Sequence, residues 1–457
     1  MSRAVSLSSL FSGFSRQGRA LLEKYGLLKS LDLPSEGKAG DAAMLEGLAL
    51  ALMSGRGEAS GVAIASDLLA TYADAGAEDR AAFLRLLGTR FGPDPDRVDI
   101  AVARYKEEGP AALPALARAV EPPRQELLRR LNLAPGATAM LLRMREDLLR
   151  FRKEDPALFD PVDGDFVHLF ASWFNRGFLT MREITWDSPA SLLERVIRYE
   201  AVHDITDWHD LRNRLDPEDR RCFAFFHPAL PGEPLIFVEV ALTADLADTI
   251  QAILQPDRAV LKAGEASTAI FYSISNCQAG LKGISFGHFL IKQVATDLKR
   301  SLPNLTHFAT LSPVPGFRAW LDTAALDGPD RRLAGELGTP RWWEGPEAEA
   351  MRDMLLRRMV EYFLSARTPS GRPVDPVARF HLGNGARLER INWLADRSAN
   401  GLRQSAGMMV NYLYDLPSLE ENHEAFAHRG HVATGEPFRT LARQMAAKPL
   451  PNGATNA

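Results

Sequence analysis

The sequence predicts an α plus α/β fold: an all-helical N-terminal bundle over residues 1–172, then a mixed-sheet domain over 173–457. Three observations carry that expectation. Apolar residues recur at helical spacing through the first third. Strand-like segments begin after D-P-V-D-G-D at 160–165, and the later ones alternate with an amphipathic helix. A chain of 457 residues also exceeds one ordinary core.

In the first part, A-E-D-R-A-A-F-L-R-L-L at 77–87 opens on an acidic turn and sets Phe83, Leu84 and Leu87 on one side. A-M-L-L-R-M-R-E-D-L-L-R-F at 139–151 repeats Leu141, Met144, Leu148 and Phe151 at steps of three and four, with arginines between them. Pro and Gly punctuate at 92–95, 109–114 and 135–136. Such stripes pack against one another or against a sister subunit, and nothing among them points to chemistry. In the second part, 222–227, 235–242, 269–275 and 307–312 read as strands. Between the last two, 289–300 reads as a helix with Leu290, Val294 and Leu298 on one face and Lys299 and Arg300 at its negative end.

Composition removes several classes of function. The 54 basic and 58 acidic residues are interspersed, with no basic stripe, so nucleic acid is not an expected partner. Two cysteines, Cys222 and Cys277, exclude a disulfide scaffold and a cysteine-rich zinc site and fit a reducing compartment. The ten histidines contain no H-E-x-x-H pair, and His423, His428 and His431 read as solvated groups on an irregular tail, so no metal site is expected. The apolar run at 48–53 falls far short of the ~20 residues that span a bilayer. The N-terminus is rich in Ser and Arg with no acid before Glu23, which resembles a transit peptide. An ordinary bacterial N-terminus is the preferred reading, and the chain does not end in S-K-L. A cytoplasmic bacterial protein is expected.

Two stretches stand out. N-C-Q-A-G-L-K-G-I-S-F-G-H at 276–288 joins a strand to a helix through Gly280, Gly283 and Gly287. It is neither a Walker A loop nor a dinucleotide fingerprint. Spacing leaves two readings open, an anion cradle of free amides or turns and close helix packing. A GNAT-type acyltransferase core places a diphosphate on such a loop after a central strand, with the thioester in an opening between neighbouring strands. T-L-S-P-V-P-G-F at 310–317 ends a strand on Ser312 and stiffens the exit with Pro313, Pro315 and Gly316. Alone it reads as a turn; in a GNAT-type core the serine would face the acyl end. Farther on, His381 lies in an apolar run ahead of the tight-turn signal Asn384-Gly385, and 407–416 alternates so that Val410, Tyr412 and Tyr414 share a face.

Four segments together resemble the malonyl-CoA decarboxylase family: S-I-S-N-C-Q-A-G-L-K-G-I-S-F-G-H-F-L-I-K, L-S-P-V-P-G-F-R-A-W-L, F-H-L-G-N-G-A-R-L-E-R-I-N-W and N-Y-L-Y. They occur in the family's order, and the likeness covers most of 173–416. The resemblance implies a helical oligomerisation domain, with a homo-oligomer expected to be a tetramer, and a GNAT-like catalytic domain acting on malonyl-CoA to give acetyl-CoA. Ser312 and His381 match the family's catalytic serine and histidine, and Tyr414 a tyrosine lining the same pocket. Lys282, Gly283, Ile284, Ser285, Phe286, Gly287 and His288 match the segment that holds coenzyme A. Ser285 departs from the acidic residue of animal members, and the intersubunit cystine of those enzymes has no counterpart here.

A malonyl thioester loses CO2 into its own carbonyl, so the resemblance implies no metal, biotin, pyridoxal or thiamine. His381, able to carry a proton near neutral pH, is the expected ultimate proton source, Ser312 would orient the carboxylate or relay the proton, and Tyr414 would add a hydrogen bond; the sequence leaves these roles exchangeable. Two rivals remain at this level: an acyltransferase with an amine acceptor, and a silent acyl-CoA-binding assembly protein.

Overall fold

The computed structural model describes residues 40–54, 57–284 and 290–447. These fall into two units. In the first, α1 (Asp41–Met53), α2 (Glu58–Asp74), α3 (Ala77–Thr89), α4 (Pro95–Glu108), α5 (Leu113–Val120), α6 (Pro123–Leu131), α7 (Ala137–Phe151) and α8 (Pro156–Trp173) follow one another. The expected stripes face inward: Phe83, Leu84, Leu87, Leu141, Met144 and Leu148 are buried. Arg145, one of the arginines between them, also points inward. It is 2% exposed, pairs with Asp163 at 2.8 Å and donates to the Gly280 carbonyl at 2.6 Å. A buried guanidinium is tolerated only when its donors are matched in this way. The pair α4 and α5 is different, burying only Ala101 between them and leaving Ile100, Leu113 and Val120 exposed.

The second unit is built on a mixed sheet. Its elements run β1 (Thr180–Glu183), α9 (Ala190–Tyr199), α10 (Trp208–Leu215), β2 (Arg220–Phe226), β3 (Pro234–Thr243), α11 (Ile250–Leu254) and β4 (Thr268–Asn276). Then come α12 (Leu290–Ser301), β5 (His307–Thr310), β6 (Ser312–Pro313), α13 (Phe317–Thr323), α14 (Gly328–Glu336) and α15 (Ala348–Leu364). Last are α16 (Pro376–Gly383), β7 (Arg387–Asn392), α17 (Ala399–Ser405), β8 (Met409–Leu413), α18 (Leu419–Arg429) and α19 (Glu436–Ala447). The strand order is β1-β2-β3-β4-β5-β8-β6, with β7 on β8. A helical region followed by a mixed-sheet domain is thus the architecture, as the apolar periodicity requires.

One irregularity positions the site. β4 and β5 pair in parallel only from Thr268↔His307 to Phe271↔Thr310, closed by the Leu311 amide on the Phe271 carbonyl at 3.1 Å. Beyond that point β4 continues with β3, whereas Ser312 and Pro313 pair with Val410 and Met409 of β8. The sheet therefore opens beside Ser312, the opening expected of a GNAT-like core.

The irregular tail expected around His423, His428 and His431 is instead α18 and the residues after it. Polar residues at its exposed positions hide a helix that ends on Gly430 at φ +63°. His423 bonds the Gly383 carbonyl through Nδ1 at 2.7 Å. Among the described residues no cluster of three or more metal-ligating side chains occurs, and no helix is long and apolar enough to cross a membrane.

Candidate active site

Ser312 is placed by the two chains it lies between. Leu311 still holds β4, and Pro313 has no amide to offer, so the extended residue between them pairs with β8. The residue is 5% exposed. His381 comes from α16, an eight-residue helix started by Asp375 as N-cap and Pro376 at the first helical position. The tight-turn signal Asn384-Gly385 is the end of this helix. Gly385 has φ +82°, and a Cβ there would lie 2.1 Å from the Leu419 carbonyl oxygen, so only glycine fits. Tyr414 follows β8, its amide on the Phe308 carbonyl at 2.7 Å.

The structure brings these three side chains together. Ser312 Oγ is 3.1 Å from His381 Nε2, and His381 Nδ1 is 2.7 Å from the Tyr414 hydroxyl. Thr310 and Tyr412, neither of them expected as a site residue, complete the set. Ser312 donates to Thr310 Oγ1 at 2.8 Å, and that oxygen also accepts the Tyr412 amide at 3.2 Å. The Tyr412 ring stacks under the imidazole, 4.6 Å between centroids at 24°. The T-x-S spacing could have found Thr310, because residues two apart on a strand share a face. Tyr412 was visible only as a member of the alternating face of β8.

One hydrogen-bond direction is consistent along the chain from Tyr414 to Thr310. The Tyr414 hydroxyl donates to Nδ1, Nε2–H donates to Ser312, and Ser312 donates to Thr310. Burial alone pushes the His381 imidazole down to about 3, so the ring is neutral at neutral pH. That departs from the imidazole expected to carry a proton near neutral pH: among the described residues no carboxylate counters its burial. Burial likewise keeps the Tyr414 phenol protonated.

Residues 278–284 of the glycine loop fall in the first unit. A Cβ on Gly280 would lie 2.4 Å from the Leu142 carbonyl oxygen, and its amide donates to Glu146 at 3.2 Å. Gly280 is therefore a close-packing residue on α7, not a free anion donor. Gly283 takes φ +81° with open space around its Cβ position, Lys282 is exposed and Ile284 is buried. Ser285, Phe286, Gly287 and His288 lie outside the described residues.

Comparison with known proteins agrees with this architecture. Residues 177–450 match the malonyl-CoA decarboxylase C-terminal domain, and residues 91–174 the malonyl-CoA decarboxylase N-terminal domain. The mitochondrial malonyl-CoA decarboxylase of Anser anser anser is 34% identical over 405 residues, covering 80% of each chain. The crystal structure of malonyl-CoA decarboxylase from Rhodopseudomonas palustris superposes with a TM-score of 0.84 at 52% identity, over 87% of this chain and 99% of that one. The Agrobacterium vitis structure of the same name gives 0.80 at 52% identity, with the same coverage. With a family domain matched over more than half its length and a relative above 30% identity across four fifths of it, the chain belongs to the malonyl-CoA decarboxylase family.

Proposed function

We propose that this chain decarboxylates malonyl-CoA to acetyl-CoA and CO2 at the Ser312–His381–Tyr414 chain, without a metal or organic cofactor. One observation carries the reading: a hydroxyl and an imidazole 69 residues apart meet at 3.1 Å, beside the opening between β4 and β6. Family membership supplies the substrate class, and the reaction itself needs no external electron sink. The electrons of the breaking carbon–carbon bond move into the thioester carbonyl, giving an enolate as CO2 departs. Fixed donors aimed at that oxyanion commonly stabilise it by ~2.7–4 kcal/mol each.

A neutral His381 is compatible with the second half of the reaction. A thioester enolate is basic enough to take a proton from a neutral donor, so no imidazolium is required. Ser312 gives its proton to the α-carbon, and Nε2–H restores the serine hydroxyl. The hydrogen bond from Tyr414 to Nδ1 steadies the charge left on the ring until water returns the proton. The 282–288 segment holds the coenzyme A portion. The exposed apolar residues of α4 and α5 form part of a contact between copies, and the two buried free thiols suit a reducing cytoplasm.

Incubation with malonyl-CoA, no acceptor and a chelator tests the assignment. Equimolar CO2 and acetyl-CoA are expected. Acyl transfer only when an amine is added would replace decarboxylase by acyltransferase. Binding without turnover would make the chain a silent acyl-CoA-binding protein.

A further inference from the structure

Asp375 is 1% exposed, and the decarboxylation steps above make no use of it. Its Oδ1 accepts the Ala378 amide at 2.8 Å, which caps α16, and the Val377 amide also bonds the carboxyl group. The same carboxylate reaches away from its helix. Oδ2 accepts the Tyr362 hydroxyl of α15 at 3.4 Å and lies 3.8 Å from where a Cβ on Gly316 would stand, and the Gly316 amide is among the groups that favour its charged form. Gly316 closes the Ser-Pro-Val-Pro-Gly corner that begins at Ser312. A single side chain thus grips the helix that bears the imidazole and the corner that bears the hydroxyl.

The corner has no slack. A Cβ at Gly316 would lie 2.5 Å from the Tyr362 hydroxyl, and Tyr362 is itself held by Phe317 and Trp320 at ring distances of 5.7 and 5.1 Å. A hydroxyl cap could satisfy α16 but not further donors on two other stretches of chain; a carboxylate, with two oxygens, can. We infer that Asp375 is a positioning residue for decarboxylation, its carboxylate setting the Ser312–His381 separation by tying the Pro-Val-Pro-Gly corner to α16.

The groups around it define how it should titrate. Tyr362 faces it from α15 and Tyr412 from β8, while Arg379 on its own helix is bonded to the Pro373 and Val374 carbonyls. Burial pushes the carboxyl up to about 6, against the pull of its hydrogen bonds. Below that pH the group gains a proton and loses acceptor capacity, so the tie loosens while His381 is still neutral.

The inference rests on Ser312 and His381 being the reacting pair, and the experiment separates the two. In the full-length protein, kcat and KM for malonyl-CoA are measured from pH 5 to 8.5 for wild type, Asp375→Asn, Tyr362→Phe and Ser312→Ala. Wild-type kcat should fall below a midpoint of about 6. Asp375→Asn should lower kcat about 10- to 100-fold at pH 8, the scale of a small misplacement of reacting groups, leave KM within about two-fold and abolish the acid limb. Tyr362→Phe removes one donor to the carboxylate, so its limb should move to higher pH. Wild-type kcat in Asp375→Asn, or an unchanged limb, overturns the positioning role. Should Asp375→Asn fail to fold, an unmoved limb in Tyr362→Phe overturns it instead. Wild-type activity in Ser312→Ala would sink the reacting pair itself.

Discussion

Two regions of the sheet unit that bury polar groups are built in opposite ways. Around Glu200, one carboxylate accepts Ser273 at 2.8 and 2.7 Å, Ser275 at 3.2 Å, and the Val202 and His203 amides at 2.8 Å each. Arg214 beside it bonds the His203 and Asp204 carbonyls, Asp210 and Glu239. These contacts are charged, and most of them fix the 200–210 stretch of chain, in part onto β3 and β4. The Ser312–His381–Tyr414 set is neutral, and its side chains come from three distant parts of the sequence. Both regions depress a histidine by burial, His203 to about 4 and His381 to about 3. A shifted pKa therefore does not separate a site from a structural tie. What separates them is whether the polar groups anchor a loop or run as a chain to an opening in the sheet.

Ser312→Ala breaks that contrast most strongly. It should lower kcat about 100- to 1,000-fold, the usual range for loss of positioned proton transfer, with a smaller change in coenzyme A affinity and little change in melting temperature. Steady-state CO2 release and a thermal melt check it together. Glu200→Ala should do the reverse. It strands two hydroxyls and two amides out of water, so stability should drop by about 2–3 kcal/mol in denaturant titration while the folded fraction keeps its kcat. A smaller effect distinguishes the two tyrosines beside His381. Tyr414→Phe removes the donor to Nδ1 and should cost about five- to ten-fold in kcat, the worth of one ordinary hydrogen bond. Among the described residues the buried Tyr412 hydroxyl has no hydrogen-bond partner, so Tyr412→Phe keeps the stacked ring and should stay within about two-fold of wild type.

Much of this was legible before any coordinates. β-branched and aromatic runs announced β2 to β5, and the Pro and Gly residues after Ser312 announced a rigid corner. β1 and β7 were not legible, because T-M-R-E is an exposed edge and R-L-E-R-I-N carries three charges in six residues. α18 was hidden for a related reason: its polar residues outnumber its buried ones, Leu419 and Ala425. Within the site, His381 was one apolar-flanked histidine among ten until the family's motifs singled it out. Asp375-Pro376 carries a helix-start signature, an N-cap acid followed by proline at the first helical position. Its second grip, on Gly316, could not be read locally, since 59 residues separate the partners.

The most direct measurement is turnover of malonyl-CoA by His381→Gln, run beside a calorimetric titration of the same protein with coenzyme A. Binding close to wild type with CO2 release reduced at least about 100-fold is the predicted result. Decarboxylation near the wild-type rate by the folded variant would contradict it.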